Sequence, residues 1–384
     1  TALRVTPAYE RGPVVHVADA SRAAGVISRL LGPPEQRGEF LADLDAEYQR
    51  VIEAHARAEV ERNRLTIGDA RRRAGAFDFD ERSVVPPTFT GARAFEEIDL
   101  ADLAEYIDWT PFFHAWGLRG RYPAILTHDE MGESATSLFD DARRMLDRIV
   151  GEQWFAPKAV VGFWPAHRDG DDIVLPREGR RLHGLRQQLQ RRDGKPNLSI
   201  ADFVSAAEAP VTDHVGGFAV TAGPEENAIA ERFEAQGDDY SSIMVKALAD
   251  RVAEAMAERM HALVRRELWG YAPDEAYLPQ ELIGEPYRGI RPAPGYPCQP
   301  DHSEKVTIFE LLDAERRIGV SLTESYSMWP GSSVSGLYFA HPEATYFAVG
   351  RIQRDQVESY AERKRLSFEA TERLLGSILA YQPA

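Results

Sequence analysis

The chain has 384 residues, of which 43% are hydrophobic, so it can bury the core of one large domain or of two moderate ones. Its 45 basic and 61 acidic residues give a net charge of −16. This balance argues against nucleic acid as a partner, because such binding depends on phosphate neutralisation by lysine and arginine. No apolar run of about 18 residues occurs, and we therefore expect no membrane span.

The N-terminus and the single cysteine indicate the cellular compartment. Residues 1–5 lack an initiator methionine and the basic-then-apolar layout of a signal peptide, so we expect a fragment or a processed chain. Cys298 has no cysteine partner for a disulfide, which is typical of the reducing cytoplasm. Prolines lie on both sides of this cysteine and no base is evident, so we interpret it as an incidental residue and not as a nucleophile.

The first elements predict the end of one module followed by a connector. A β-branched run at Val14–Val17 predicts a strand, and a helix is predicted from Ser21 to Leu31, ending at residues 32–34. One strand and one helix are the end of an α/β unit and not a domain. A charged, alanine-rich helix is predicted from Glu39 to Asn63, and its few large apolar side chains are typical of a linker. We place the domain boundary near residue 58.

Beyond residue 58, helices and short strands alternate irregularly. A helix is predicted at Ser134–Val150, followed by a buried strand at Ala159–Phe163 whose antiparallel neighbour is Asp172–Leu175. Further strands are predicted at His214–Thr221 and Tyr346–Val349, and further helices at Asp239–Trp269 and at Thr307–Gly319, the latter opened by a capping box at Thr307. The pattern predicts an α+β domain, built on an antiparallel sheet with flanking helices.

A basic stretch lies between residues 177 and 195, where Glu178 and Asp193 are the acidic residues. Two interpretations are open. The stretch is either a solvated loop or helix face, or a docking patch for an acidic partner, which opposed surface charge would attract. Its basic residues are Arg177, Arg180, Arg181, Arg186, Arg191, Arg192 and Lys195.

No sequence motif indicates catalysis by a side chain. The chain has no glycine-rich phosphate loop, no HExxH metal motif and no G-x-S-x-G nucleophile elbow. Its histidines are scattered without the spacing of metal ligands. We therefore expect neither a catalytic residue nor a metal site.

The segment 291–297 is the strongest candidate for a ligand site. Its prolines hold the backbone extended, and Gly295 provides one permissive position. Arg291 at its head offers a planar donor that can bind a carboxylate through two hydrogen bonds. A rigid backbone beside such a donor suits a small zwitterionic ligand, and a stiff connector is the alternative interpretation.

This segment and its continuation, residues 301–305, resemble the signature loop of the S-adenosylmethionine-binding reactivation domain of cobalamin-dependent methionine synthase. Residues 1–32, which include Asp19 and Ala20, resemble the last strand and helix of the cobalamin-binding domain of that enzyme. Further blocks resemble the reactivation domain in the same order along the chain, namely residues 107–113, 160–166, 238–251, 269–273, 322–325, 328–331 and 352–357. The resemblance implies a cobalamin-domain remnant at residues 1–32, a linker helix at 33–57 and the activation domain at 58–384.

The resemblance also implies a shallow groove for S-adenosylmethionine. Asp108 would contact the ammonium group of the ligand, and Arg291 would bind its methionine carboxylate. Without the resemblance, Asp108 is equally well explained as the cap of the turn that follows it. The residues that would line the groove or lie near the adenosine are Ala293, Gly295, Tyr296, Tyr346 and Phe347.

Some positions are weaker candidates or depart from the family. Glu285 and Glu254 would help to balance the sulfonium and ammonium charges, although Glu254 alternatively belongs to a charged helix face. Phe347 stands where the family has a second tyrosine, so a contact through that hydroxyl would be missing. Cys298 lies one place earlier than the family's cysteine. Ala20 would contact cobalamin.

The chemistry implied by the resemblance is repair. One electron from a flavodoxin-type reductant would convert cob(II)alamin to cob(I)alamin, and S-adenosylmethionine would then methylate it to methylcobalamin. This repair would take place within a 5-methyltetrahydrofolate–homocysteine methyltransferase of methionine biosynthesis. The protein then needs only to bind, align and exclude water, which agrees with the lack of a catalytic motif. The Asp-x-His-x-x-Gly motif that holds cobalamin in this family does not occur, so other modules of the enzyme would have to supply the cofactor.

Two alternative functions remain open at this point. The chain could be an interaction module that caps cobalamin and docks flavodoxin, with ligand binding secondary. It could also be a stand-alone corrinoid reactivase that is expressed apart from the catalytic modules.

Overall fold

The computed structural model describes residues 2, 5–9, 11–17, 20–60, 63–191 and 194–383. Asp19 and Arg192, which the sequence analysis singled out, lie outside these residues. The chain divides into two units, residues 1–65 and residues 66–384.

The first unit contains the helices α1 (Val5–Ala8), α2 (Ala20–Leu31) and α3 (Pro34–Val60). The helix predicted from Ser21 to Leu31 is confirmed as α2. The next helix begins at Pro34, earlier than predicted, because the missing N–H of a proline costs nothing in the first turn of a helix.

The strand predicted at Val14–Val17 is wrong, since these residues belong to no helix or strand. A strand needs a neighbour for its backbone hydrogen bonds. Here the side chain of Tyr48 in α3, and not a second strand, forms hydrogen bonds with this backbone. Its hydroxyl accepts from the N–H of His16 at 3.0 Å and donates to the carbonyl of Val14 at 3.2 Å.

The second unit is built from helices and antiparallel strands. Its helices are α4 (Ile67–Arg72), α5 (Leu100–Ala104), α6 (Trp109–Ala115), α7 (Gly132–Gly151), α8 (Glu225–Glu234), α9 (Asp239–Leu263), α10 (Pro279–Leu282), α11 (Lys305–Leu312), α12 (Ala314–Ile318), α13 (Arg354–Lys364) and α14 (Phe368–Leu374). Its strands are β1 (Gly91–Phe95), β2 (Lys158–Asp169), β3 (Asp172–Leu175), β4 (Arg180–Leu182), β5 (Asp213–Thr221), β6 (Ser321–Leu322), β7 (Met328–Trp329) and β8 (Ser333–Tyr338). None of the described helices combines the length and apolar character that crossing a membrane requires.

The strands form a six-stranded antiparallel sheet and a separate β6–β7 pair. The order in the large sheet is β4-β3-β2-β5-β8, and β1 also pairs with β2. The predicted α+β class with an antiparallel sheet and flanking helices is therefore confirmed. The strand pair β2 and β3 turns at Gly170, which has a φ of +63°.

The β2 strand shows why helices cover both faces of this sheet. Successive side chains of a strand point to opposite faces. Val161 and Phe163 join the core that α9 covers, whereas Val160 and Trp164 join the core that α11 and α12 cover. Because both faces are buried, the strand is a nearly continuous apolar run.

The α9 helix confirms the long helix predicted from Asp239, and a π-helical turn at Val264–Leu268 continues it. The capping box predicted at Thr307 is wrong. Asp301 already caps the preceding short 3₁₀ helix by accepting from the N–H of Ser303 at 2.8 Å, so Thr307 lies inside α11. The predicted end at Gly319 is confirmed, with this glycine in the left-handed conformation after α12.

The basic stretch at residues 177–195 does not form one free surface. The Arg186 side chain is buried, and its guanidinium donates to both carboxylate oxygens of Asp202 at 2.7 Å and to Asp171 at 2.6 Å. Arg180 and Arg181 form ion pairs with acidic residues of the same unit. These three arginines therefore serve the fold, and they weaken the hypothesis of a docking patch.

Gly336 in β8 generates a prediction about stability. A Cβ at this position would lie 2.7 Å from the backbone carbonyl of Pro292 and 2.8 Å from the Phe218 ring. We expect Gly336→Ala to lower the free energy of unfolding by about 1–3 kcal/mol, as overpacking usually does. Thermal unfolding measures this loss. The matched control is Gly151→Ala, whose Cβ would meet no atom within 4 Å, and equal stability of the two variants would contradict the prediction.

Candidate functional site

A cavity of about 800 Å³ lies between α9, the segment 291–298 and the segment 346–348. The start of α6 and residues 282–285 complete its wall. The sequence-predicted residues that line it are Asp108, Glu254, Glu285, Arg291, Ala293, Tyr296, Tyr346 and Phe347. Asp108 and Arg291 are far apart in sequence, and the fold places both on this one cavity.

The segment 291–298 owes its position to β8. The residue before it, Ile290, pairs with Phe339, and the carbonyl of Pro292 accepts from the N–H of Leu337 at 2.8 Å. Gly295 is not among the lining residues of the cavity. Its φ of +98° and the imidazole of His302, which occupies the place of a Cβ, explain why glycine stands there.

Arg291 is held at both its backbone and its side chain. Its N–H donates to the hydroxyl of Tyr346 at 3.0 Å, and its Nη2 donates to the Oε2 of Glu258 at 2.5 Å. Burial disfavours the charged guanidinium, but the Glu258 carboxylate together with Tyr287 and Tyr346 outweighs that effect and raises the pKa of Arg291. The guanidinium therefore stays charged in a largely buried place, as binding of a carboxylate requires.

Asp108 has two functions in the structure. It is the N-cap of α6, where its Oδ1 accepts from the N–H of Thr110 at 2.9 Å, and it also lines the cavity. Capping uses one oxygen of the carboxylate, and a carboxylate has two oxygens that accept hydrogen bonds. The cap interpretation and the ligand interpretation of Asp108 are therefore compatible.

Two further carboxyl groups line the cavity, those of Glu254 and Glu285, and Arg291 is near both. Burial raises the pKa of the Glu254 carboxyl in α9, and it also raises that of Glu285 at the rim of the cavity. Glu285 has a φ of +52°, a conformation that costs energy for a residue with a side chain and that occurs preferentially at functional sites. Among the described residues neither carboxyl group forms an ion pair, and a partly desolvated carboxylate of this kind suits a cationic ligand.

The segment 346–349 is not the strand that the sequence predicts. The backbone of this segment is bonded to the thiol of Cys298 and to the carbonyl of Pro297, and not to a neighbouring strand. The Sγ of Cys298 donates to the carbonyl of Phe347 at 2.8 Å and accepts from its N–H at 3.1 Å, and the N–H of Val349 donates to the carbonyl of Pro297 at 2.9 Å. Cys298 is therefore not incidental, because it joins two walls of the cavity.

Sequence reasoning missed Glu258. It lies one helical turn after Glu254 on α9, and both line the cavity. The spacing of four residues was the available signal, since it places two side chains on one face of a helix. Among the described residues, no group of three or more histidine, cysteine, aspartate or glutamate side chains is arranged to hold a metal ion.

Ala20, which the resemblance implies as a cobalamin contact, is the first residue of α2 in the first unit. It therefore belongs to a different unit from the cavity.

The second unit is thus an α+β domain whose cavity combines the arginines Arg251 and Arg291 with several carboxylates. Residues 99–365 match the family described as vitamin B12-dependent methionine synthase, activation domain. The crystal structure of the MetH reactivation domain bound to AdoHcy is 50% identical to this chain, with a TM-score of 0.79. That match covers 83% of this chain and 99% of the other. The chain belongs to the activation-domain family of vitamin B12-dependent methionine synthases, which are methyltransferases.

The buried thiol generates a prediction about reactivity. Burial raises the pKa of Cys298 to about 11, so the thiol is protonated and inaccessible near neutral pH. We expect a thiol reagent such as Ellman's reagent to label the native chain far more slowly than the chain unfolded in guanidinium chloride. Because the chain has one cysteine, the absorbance reports this residue alone. Rapid stoichiometric labelling of the native chain would contradict the burial.

Proposed function

We propose that the cavity binds S-adenosylmethionine and presents its methyl group for the reductive methylation of cob(II)alamin within methionine synthase. The observation that carries the proposal is that Asp108, Glu254 and Arg291 line one cavity. Its volume of about 800 Å³ lies in the range of small-molecule sites. The related MetH reactivation domain was crystallised with AdoHcy, the product that remains when this methyl group is transferred.

The charges of the cavity fit the two ends of such a ligand. The guanidinium of Arg291 is matched to the methionine carboxylate. Asp108, Glu254 and Glu285 are matched to the ammonium and the sulfonium. The rings of Tyr296 and Tyr346, which are partly exposed at the cavity, can pack on the adenosine.

The residues of this chain do not fit a resident cobalamin. The nearest sequence to the family's cobalamin motif is Asp213-His214-Val215-Gly216, which has the wrong spacing and lies buried in the central strand β5. Bound cobalamin would supply the nucleophile of the reaction. The contribution of this chain is to bind the methyl donor, orient it and exclude water from it.

The domain organisation and the partners belong to the same proposal. Residues 1–32 would be the end of the cobalamin-binding domain, residues 33–57 a linker helix and residues 58–384 the activation domain. Membership in the family implies further modules of methionine synthase as partners. The electron would come from a flavodoxin-type reductant, and the single, buried, unpaired cysteine is in keeping with a cytoplasmic protein.

Replacement of Arg291 tests the proposal directly. We expect Arg291→Ala to weaken binding of S-adenosylhomocysteine by about 1.5–3 kcal/mol, the usual value of a hydrogen bond to a charged group. Isothermal titration measures the affinity, and Arg291→Lys keeps the charge if the alanine variant is unstable. Arg316→Ala is the control, because this arginine is largely exposed and pairs with Asp313 away from the cavity. Unchanged affinity in both Arg291 variants would remove this residue from the site.

The raised pKa values of Glu254 and Glu285 predict a difference in pH dependence. Both carboxyls take up protons at a higher pH than the ordinary glutamate value of 4.5. Acidification then removes negative charge that attracts the sulfonium of S-adenosylmethionine, whereas S-adenosylhomocysteine carries a neutral thioether. We therefore expect the affinity for S-adenosylmethionine to fall more steeply than the affinity for S-adenosylhomocysteine between about pH 7 and about pH 5. Titrations at several pH values measure this, and parallel profiles for the two ligands would contradict it.

A further inference from the structure

Glu258 differs from the other acidic residues of the cavity because it has a cationic partner. Its Oε2 lies 2.5 Å from the Nη2 of Arg291, and the two side chains are only 12% and 20% exposed. Among the described residues, Glu258 is the one acceptor for the guanidinium of Arg291. Neither Glu254 nor Glu285 forms such an ion pair in the part of the chain that the structure describes.

The groups behind this pair offer Arg291 no second anchor. His261 lies one helical turn after Glu258 on α9 and is fully buried, and its Nδ1 has no partner among the described residues. Its ring stacks on that of Tyr338 at a centroid distance of 5.3 Å. The Nε of Arg291 is likewise buried without a described partner. Loss of the Glu258 carboxylate would therefore leave the guanidinium charged, buried and free to change its rotamer.

The ion pair also leaves donors of Arg291 for a ligand. A guanidinium has five N–H groups in a fixed planar fork, and Glu258 accepts from one of them, on Nη2. Because the fork is rigid, a bond at Nη2 restrains the direction of the other N–H groups. Glu258 thus decides where a ligand carboxylate can be bound in the cavity.

We propose that Glu258 is a positioning residue, which holds the guanidinium of Arg291 in place and so gives the cavity its preference for ligands that carry an amino-acid carboxylate. The proposal deepens the proposed function and rests on it. Glu258 acts through Arg291, whereas Glu254 and Glu285 act on the cationic groups of the ligand.

The test compares two ligands that differ in the carboxylate alone. These are S-adenosylhomocysteine and its decarboxylated analogue, which keeps the amine and the adenosine. Isothermal titration of the full chain with each ligand gives the affinities of wild type, Glu258→Gln and the control Glu267→Gln. Glu267 lies in the π-helical turn after α9, is 61% exposed and does not line the cavity.

We expect Glu258→Gln to weaken binding of S-adenosylhomocysteine on the order of tenfold or more, as loss of a charged hydrogen bond does. Binding of the decarboxylated analogue should stay within about twofold of wild type, the spread of neutral substitutions. Glu267→Gln should leave the affinities for both ligands unchanged. An equal loss for both ligands, or no loss for either, would overturn the proposal.

Two further variants keep the test decisive if Glu258→Gln unfolds. Glu258→Asp keeps the charge, but its side chain is shorter by one methylene. It should therefore lose less affinity than Glu258→Gln, and again only for S-adenosylhomocysteine. In an Arg291→Ala background, Glu258→Gln should cause no additional loss, and an additional loss would overturn the positioning role. Failure of the wild-type chain to bind S-adenosylhomocysteine would instead overturn the proposed function, so the two failures are distinguishable.

Discussion

Burial of the β2–β5 strand pair on both faces is the constraint on which the second unit depends. Every residue of β5 is buried, and β2 is buried over most of its length. A sheet of this kind needs a helical layer on each side. The α9 helix supplies one layer, and its flank beyond the sheet carries Glu254 and Glu258 toward the cavity. The segment 291–298 is hydrogen-bonded to β8 at the edge of the same sheet, so the cavity lies at that edge of the sheet.

The electrostatics of the cavity follow from how its carboxylates are compensated. A buried charge is costly unless an opposite charge or hydrogen bonds accompany it. Arg291 and Glu258 compensate each other, whereas burial raises the pKa of Glu254 because it outweighs the attraction of the nearby Arg291 and Arg251. A ligand with one carboxylate and two cationic groups would satisfy both halves of this arrangement. Under the proposed function, the site would select its ligand by charge pattern, without proton transfer by a side chain.

Arginine and aspartate have a second and quite different use in this chain. Arg186, Asp171 and Asp202 form a fully buried network that ties the turn between β2 and β3, the segment after β4 and the short 3₁₀ helix at Ile200–Phe203 together. Removal of one partner of such a network typically costs about 3–5 kcal/mol, because it leaves a buried charge alone. A high local density of charge in a sequence thus does not distinguish a docking surface from a buried ion-pair network. The burial of each side chain in the folded structure distinguishes them.

The sequence by itself determined the class of the fold and, through the family resemblance, several residues of the cavity. The buried apolar run of β2 predicted a strand of the sheet, and the segment from Asp239 predicted the long helix α9. The family resemblance named Asp108 and Arg291, which do share one cavity. Only the tertiary structure decided that Glu258 pairs with Arg291, that Cys298 bonds to the Phe347 backbone and that the segment 346–349 is not a strand. These are contacts between positions distant in the chain. Periodicity reports which face a residue occupies, and it is silent on which distant side chain or carbonyl that face will meet.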